Sequence, residues 1–304
     1  MTVSPWLWAV FTIIAALAQT FRNAMQRELT ASLRTVGATH VRFLFGFPFA
    51  AIFLLGLLVG TGMALPRPGL GFWPWVIGGA AAQVAATALM LVAMGERSFV
   101  VTIAYLKTEP IQVAIFGLVF LGDAVTWPMA AAILTASAGV IVMSLPRDRA
   151  SDANAISGGV RPMMLGLASG GMFALSAIGF RGAILDLHMP NFVMAATFTL
   201  VVGLGIQALA LSLYLGLRQP NVLVAIVRAW RPSLFAGLTG ALASQFWFLA
   251  FALATAASVR TLALIEVLFA QLLARFAFGQ RTSGREAIGM GLVVAGVVVL
   301  LLAA

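Results

Sequence analysis

The sequence predicts an all-α integral membrane protein with ten transmembrane helices, arranged as two inverted five-helix repeats. Three observations lead to this prediction: an apolar composition, a residue pattern that recurs in the second half, and one polar linker near the middle of the chain. Hydrophobic residues make up 62% of the chain and charged residues 9%, with a mean hydropathy of +1.05. A soluble domain carries roughly 25% charged residues. This chain could not cover a water-facing surface, so we expect it to lie among membrane lipids.

The two halves of the sequence carry the same pattern of residues. The pairs that align at shifts of 157 to 159 residues are Glu109 with Glu266, Gly122 with Gly279, Ala138-Gly139-Val140 with Ala295-Gly296-Val297, Pro74 with Pro232, and Phe21-Arg22 with Phe180-Arg181. The small drift in the shift is what short insertions in loops would produce. A duplication of this kind in an apolar chain is typical of transporters.

Ten segments are long and apolar enough to be transmembrane helices, each of which needs about 20 mostly apolar residues. They are Pro5–Phe21, Val36–Val59, Phe72–Met94, Phe99–Leu121, Val125–Leu145, Pro162–Leu185, Phe192–Leu215, Pro232–Ala254, Ser258–Phe278 and Ala287–Leu302. The polar linker, residues 147–161, separates the fifth segment from the sixth. We therefore predict a first repeat at 1–146 and a second at 162–304.

The odd number of spans in each repeat sets the orientation of the second repeat. After five spans, the sixth helix enters the bilayer from the side opposite the first, so the repeats are inverted. Twelve arginines fall in the loops of one face, whereas the other face has Arg67 and, at its edge, Arg181 and Arg260. The positive-inside rule then places the arginine-rich loops in the cytoplasm and both termini outside the inner membrane. Arg22 and Arg181 are interpreted as markers of the membrane interface.

Charged side chains within the predicted spans are the first candidates for a functional site. Lys107, the only lysine in the sequence, lies in the fourth span with Glu109, whereas Glu266 lies in the ninth and Arg42 in the second. Charges at membrane depth cost a few kcal/mol or more and usually face a cavity or a partner. Residues two apart on a helix point to different sides, so Lys107 and Glu109 are not expected to pair with each other.

Uncharged polar residues extend this candidate site. Tyr105 and Gln112 share a helix face with Glu109 and Thr102, and Pro110 predicts a kink beside them. Further candidates are Gln83 and Thr87 on the third span, and Gln245 and Trp247 on the eighth. Two interpretations remain open: a cavity for a substrate or coupling ion, or ion pairs and interhelical hydrogen bonds that hold the bundle together.

Several functional classes find no support in the sequence. There is no cysteine and there are two histidines, His40 and His188, so no metal site and no cofactor is predicted. No nucleophile or metalloprotease motif is present, so no catalytic residue is assigned and an enzyme is not expected. No hydrophilic domain is available for nucleic acid. Small residues at four-residue spacing, such as Gly78-Ala82-Ala86, Gly166-Gly170-Ala174 and Gly291-Ala295, predict close helix packing or a homodimer contact.

The chain resembles the EamA family of the drug/metabolite transporter superfamily over essentially its whole length. The residues that carry the resemblance are Leu121-Gly122-Asp123, Ala138-Gly139-Val140, Phe278-Gly279-Gln280, Ala295-Gly296-Val297, Arg42 and Pro110. Two positions depart from the family pattern. The acidic residue after the glycine is shortened to Asp123 and replaced by Gln280, and the mid-helix proline is Val267 in the second repeat. A role that needs a carboxylate at Gln280 is therefore not expected here.

The resemblance implies a secondary transporter that exports a small polar or amphipathic metabolite, such as an amino acid, by alternating access. In this hypothesis, Lys107 or Arg42 meets a substrate carboxylate, and Glu109 or Glu266 meets an amine or carries a coupling proton. The alternative is a passive channel or facilitator for small solutes. In some members of the family both termini are held to be cytoplasmic, whereas the arginine distribution favours termini outside.

Overall fold

In the computed structural model, the described residues are 4–96, 105–143, 160–269, 271 and 283–303, without the side chains at 23–28, 30–32, 34–35, 94–96, 160 and 162. Within these ranges the secondary structure is helical and no strand occurs. The helices are α1 (Leu7–Thr61), α2 (Phe72–Glu96), α3 (Glu109–Phe116), α4 (Trp127–Met143), α5 (Val160–Asp186), α6 (Phe192–Arg218), α7 (Pro220–Arg228), α8 (Trp230–Leu253), α9 (Ala256–Leu262) and α10 (Gly284–Ala303).

Six segments among the described residues are long and apolar enough to cross a membrane. They are Val36–Thr61, Phe72–Ala93, Met163–Asp186, Phe192–Arg218, Trp230–Leu253 and Gly284–Ala303. Shorter apolar helices are Leu7–Arg22, Glu109–Leu121 and Trp127–Met143. These lengths and compositions confirm a helical, multi-pass membrane protein over the residues that the structure describes. Most of the predicted linker, together with Thr102 and the Phe278-Gly279-Gln280 step, lies outside the described residues.

Helix α1 differs from the expectation of a loop between the first two spans, because its backbone is helical throughout. The residues from Arg22 to Val36 include no glycine or proline and are rich in good helix formers. The helix nevertheless doubles back. The side chains of Arg22 and Arg42 lie 3.5 and 3.7 Å from the position that a Cβ on Gly240 would occupy. Twenty residues of straight helix would separate these arginines by about 30 Å, so the axis reverses direction between them.

The chain divides into two compact units. Unit 1 consists of Met1–Val84 and Ser176–Ala254, and unit 2 consists of Ala85–Leu175 and Thr255–Ala304. Each unit therefore combines residues from both halves of the sequence. In unit 1, α1 packs against α6 and α8. In unit 2, α4 packs against α10, and α9 packs against α3.

Glycines set the close approach of α4 and α10 within unit 2. A Cβ on Gly139 would lie 2.6 Å from the carbonyl oxygen of Gly289, and a Cβ on Gly296 would lie 2.6 Å from the backbone nitrogen of Ala136. Gly139 and Gly296 are the repeated glycines of the two Ala-Gly-Val steps. Gly291, in contrast, has nothing within 4 Å of its Cβ position. On α10, the close contact with α4 is therefore made by Gly289 and Gly296, and not by the predicted Gly291.

Candidate functional site

The helices that carry Glu109 and Glu266 are both interrupted immediately before the glutamate. In the predicted fourth span, Tyr105 and Leu106 are helical, Lys107 and Thr108 form a turn, and α3 begins at Glu109. In the predicted ninth span, α9 gives way to a 3₁₀ turn at Ala263–Ile265, after which the α-helix resumes at Glu266. Pro110 predicts a kink in this helix, and the break lies just before that residue. No proline marks the second break, where the equivalent residue is Val267.

Two ion pairs join the interrupted helices within unit 2. The Lys107 ammonium donates a hydrogen bond to the Glu266 carboxylate. The Arg260 Nε lies 3.1 Å from the Glu109 Oε1. All four side chains are largely buried, with 10–13% of their surface exposed. Each glutamate is thus paired with a cation from the other half of the sequence.

The two pairs act on each other electrostatically. Glu109 interacts with Lys107 and Glu266 in addition to its partner Arg260. Two positive and two negative charges together give a cluster with no net formal charge. Such neutrality lowers the free-energy cost of holding charges at membrane depth. We call Lys107, Glu109, Arg260 and Glu266 the four-charge cluster.

The expectation that Lys107 and Glu109 do not pair with each other agrees with this geometry, although the helix is not regular there. The turn at Lys107–Thr108 aims the ammonium at Glu266. Arg260, which the arginine distribution places at the edge of the arginine-poor face, pairs in the structure with Glu109. Its importance is missed by sequence analysis because the pairing joins two different spans.

Tyr105 and Gln112 border the four-charge cluster along the chain. The backbone carbonyl of Tyr105 accepts a hydrogen bond from Thr108 Oγ1 at 2.7 Å, which closes the turn. The Gln112 amide donates to Thr108 Oγ1 at 3.2 Å and to the Leu167 carbonyl at 3.5 Å. A Cβ on Gly171 would lie 2.9 Å from Gln112 Oε1. Gln112 therefore packs against α5 at Gly171, where the absence of a side chain leaves room for the amide.

Arg42 lies in unit 1, where it is 6% exposed and its guanidinium lies 5.2 Å from the centre of the Phe43 ring. Arg22 is also buried, at 5% exposure. The interpretation of Arg22 as a marker of the membrane interface stays a prediction. Arg181 donates hydrogen bonds to the carbonyls of Phe251 and Ala254 at the end of α8. The guanidinium thus provides hydrogen bonds to backbone carbonyls that have no partner within the helix, because they lie in its last turn.

The predicted polar residues of the third and eighth spans form separate hydrogen bonds in unit 1. The Gln207 amide donates to Gln83 Oε1 at 2.9 Å and to the Ala80 carbonyl at 3.1 Å. Gln207 is not predicted as a site residue, because it has no polar repeat partner and no polar neighbour in the sequence. The structure thus gives Gln83 a role in joining α2 to α6.

Gln245 and Trp247 also make interhelical hydrogen bonds in unit 1. The Gln245 amide donates to Thr197 Oγ1 at 2.8 Å. The Trp247 indole nitrogen donates to Gln19 Oε1 at 3.1 Å, and its ring stacks against Phe251. Thr87 is fully buried on α2, in the part of that helix that belongs to unit 2. Among the described residues, no three of His, Cys, Asp and Glu come together in a metal-binding arrangement.

Comparison with known proteins places the fold. One crystal structure, described only as "Crystal structure of protein", is similar to this chain with a TM-score of 0.71. The similarity covers 100% of this chain and 99% of that one, at 16% sequence identity. No protein-family model matches the sequence. No curated protein matches it either. At such low identity the structural likeness shows a shared fold along the whole chain.

Proposed function

We propose that the protein is a secondary transporter of the inner membrane that exports a small polar or amphipathic metabolite, such as an amino acid, by alternating access. The observation that carries the proposal is the four-charge cluster at two helix breaks that occupy equivalent positions in the two halves. In transporters with inverted repeats, interrupted helices at corresponding positions point to the site for substrate and coupling ion. The resemblance to the EamA family supports the same class of function.

The proposal includes ten transmembrane helices in two inverted five-helix repeats. Glu109 and Glu266 occupy equivalent sequence positions, and so do Gly139 and Gly296. In each pair the two residues also have similar surroundings: a helix break for the glutamates, and the α4–α10 crossing for the glycines. These local correspondences are what a duplicated five-helix unit would produce.

In the proposed mechanism the four-charge cluster exchanges its internal partners for substrate or proton. A substrate amine competes with Lys107 or Arg260 for a glutamate, and a substrate carboxylate competes with a glutamate for a cation. The cluster has no net charge while its two ion pairs are formed. When a substrate group binds one side chain of a pair, the other side chain of that pair loses its counter-ion and needs a new one. That compensation couples substrate binding to a change in the contact between the two halves of the sequence, as alternating access requires.

Solid-supported-membrane electrophysiology on the purified protein in liposomes tests the proposal. Amino acids, amines, organic acids and phosphorylated sugars are applied in turn, with and without a pH gradient. We expect a saturable current for one of these classes, which identifies the substrate, and we expect Glu109→Gln and Glu266→Gln to abolish it. Radiolabel counterflow on the same preparation detects an electroneutral cycle.

Glu286→Gln serves as the matched control, because it removes a carboxylate from the first turn of α10. Glu286 accepts a hydrogen bond from the Ser283 nitrogen at 2.7 Å, and glutamine fulfils the same capping role. Absence of both current and counterflow across the panel in folded protein would contradict a transporter of these solutes. Transport that never saturates and supports no counterflow would instead favour a channel.

A further inference from the structure

We propose that α7 and the start of α8 form a binding site in unit 1 for the headgroup of an anionic phospholipid. The site consists of a cleft beside α7, lined in part by Arg228, together with Trp230 and Arg231 at the start of α8. It goes beyond the proposed function, because a lipid bound here does not depend on transport.

Helix α7 packs one of its faces against α1. The helix has nine residues, which are too few to cross a membrane. Ile226 is fully buried, and its Cδ1 and the Val222 Cγ1 lie 4.0 and 2.9 Å from the position that a Cβ on Gly37 would occupy. The helix joins the apolar segments Phe192–Arg218 and Trp230–Leu253, each long enough to span a membrane. It therefore lies where the chain leaves one membrane-crossing helix and enters the next.

A second face of α7 lines a cleft of about 520 Å³. The lining residues of α7 recur at the spacing of one helix face, and two further residues complete the cleft. The full set is Asn221, Val224, Ala225 and Arg228 of α7, with Leu33 and Ala229. Sites that bind small ligands usually have volumes of about 300–1,000 Å³. The lining combines aliphatic residues with one asparagine and one arginine, a combination that suits an amphiphile with an anionic end.

The arginines beside the cleft have no acidic partner among the described residues. Arg228 and Arg231 are both exposed, and within the described part of the chain neither is ion-paired. The sequence contains no aspartate or glutamate from residue 187 to residue 265. An arginine guanidinium has planar, forked donors that match the geometry of a phosphate. Charge complementarity therefore favours a phosphate at this surface.

The surroundings favour the phosphate of a lipid over that of a soluble anion. Leu217, Val227 and Trp230 are 82%, 65% and 50% exposed, and each directly precedes an arginine in the sequence. The Arg231 guanidinium lies 5.4 Å from the centre of the Trp230 ring, and tryptophan is enriched where membrane and water meet. The arginine distribution places this loop at the cytoplasmic leaflet, whose anionic lipids attract basic segments. A molecule with a phosphate and acyl chains complements both kinds of surface.

Native mass spectrometry of the full-length protein in dodecyl maltoside measures lipid binding without transport. The probes are dioleoyl phosphatidylglycerol and dioleoyl phosphatidylcholine, which have the same acyl chains. We expect phosphatidylglycerol to bind with about tenfold higher affinity than phosphatidylcholine, because only its headgroup has a net negative charge. Equal affinities would overturn the proposal. Displacement of the lipid by glycerol 3-phosphate would assign the site to a soluble phosphate, and displacement by hexaglutamate would assign it to an acidic peptide; either result would also overturn it.

Charge variants locate the bound lipid. Arg228→Gln and Arg231→Gln should each lower the affinity for phosphatidylglycerol about fivefold, because each removes a cation beside the cleft. Arg218→Gln is the matched control, since Arg218 is exposed, precedes α7 in the same loop and does not line the cleft. Its loss removes the same charge and should leave the affinity unchanged. Parental affinity in Arg228→Gln and Arg231→Gln, or an equal decrease in Arg218→Gln, would overturn the site.

A second pair of variants tests the cleft without changing the charge. Val224→Trp adds bulk on the face of α7 that lines the cleft, whereas Val227→Trp adds the same bulk at an exposed position outside it. We expect only Val224→Trp to lower the affinity for phosphatidylglycerol, while both variants unfold at the parental temperature. If both bind the lipid like the parent, or both lose affinity equally, the cleft is not the site.

Discussion

Lys107, from the first half of the sequence, is ion-paired with Glu266, from the second. Glu266 is the repeat partner of Glu109, which in turn meets Arg260 of the second half. The two pairs therefore cross between the halves, although their cations occupy positions that the repeat does not relate. The two glutamates thus occupy equivalent positions in the two repeats, whereas Lys107 and Arg260 do not.

Charge reversal tests the Lys107–Glu266 pair as a physical unit. Lys107→Glu and Glu266→Lys each place like charges together in a largely buried setting, which we expect to cost about 3–5 kcal/mol, the range for breaking a buried pair. The double variant restores opposite charges. Its unfolding temperature, followed by tryptophan fluorescence, should recover most of the loss. If the loss of stability in the double variant equals the sum of the losses in the two single variants, the pairing is contradicted.

A double-mutant cycle tests whether Arg260 and Glu109 interact directly. Arg260→Gln leaves the Glu109 carboxylate with one fewer buried cation, so we expect destabilisation of similar sign to that of Lys107→Glu but smaller size. In the Arg260→Gln, Glu109→Gln double variant the stability should partly return, because no uncompensated charge remains at that pair. Additive losses in this double-mutant cycle, measured by thermal unfolding, would argue against a direct pair.

The glycines at the α4–α10 crossing should not tolerate a larger side chain. Gly139→Val and Gly296→Val would place a branched side chain where a Cβ already lies within 2.6 Å of backbone atoms. We expect each to lower the stability of the protein by several kcal/mol or to prevent its folding. Gly291→Val is the matched control on the same helix, since its Cβ position has nothing within 4 Å. Equal behaviour of all three variants in thermal unfolding would contradict the described crossing.

Gly122 ends the helical segment Glu109–Leu121 in a left-handed conformation, with φ of +67°. The Asp123 nitrogen donates to the Gly117 carbonyl at 3.1 Å and closes this helix end. Gly122→Ala should cost about 1–2 kcal/mol, because an L side chain disfavours that conformation, and Gly122→Asn should cost less. Gly78→Ala, inside α2 at a position whose Cβ would have nothing within 4 Å, should be neutral or stabilising. Thermal unfolding of the three variants checks the order.

The Gln83–Gln207 contact should stabilise unit 1 modestly. Gln207→Leu removes donors to Gln83 Oε1 and the Ala80 carbonyl, and interhelical hydrogen bonds of this kind contribute about 0.6–2 kcal/mol. Gln83→Leu, Gln207→Leu should lose less stability than the two single changes together, since one interaction is removed only once. Full additivity in the unfolding temperatures would contradict the contact.

The sequence was sufficient to predict a multi-pass helical membrane protein, because apolar composition and segment length determine that class directly. It also located Lys107, Glu109 and Glu266 as buried charges. Their partners could not be predicted, because helix-face arguments assume regular helices, and both spans break just before the glutamate. The hydrogen bond of Gln207 could not be predicted for a related reason, because its partner Gln83 lies on another helix, far away in sequence.

The reversal of α1 could not be predicted from the sequence either. Residues between Arg22 and Val36 have good helix propensity, so composition predicts helix, whereas the apolar pattern predicts two spans. The structure satisfies both by keeping the backbone helical while the axis turns back. That turn brings Arg22 to the same glycine as Arg42, a meeting that linear spacing of the two arginines gives no reason to expect.

The measurement that tests the central claim most directly is substrate counterflow in proteoliposomes containing the parent, Glu109→Gln, Glu266→Gln or Glu286→Gln. If the four-charge cluster operates transport, the parent and Glu286→Gln exchange labelled substrate, while the other two variants lose at least tenfold in rate although they remain folded. Exchange at the parental rate in folded Glu109→Gln and Glu266→Gln would show that the ion pairs only hold the helices together, and would contradict the account.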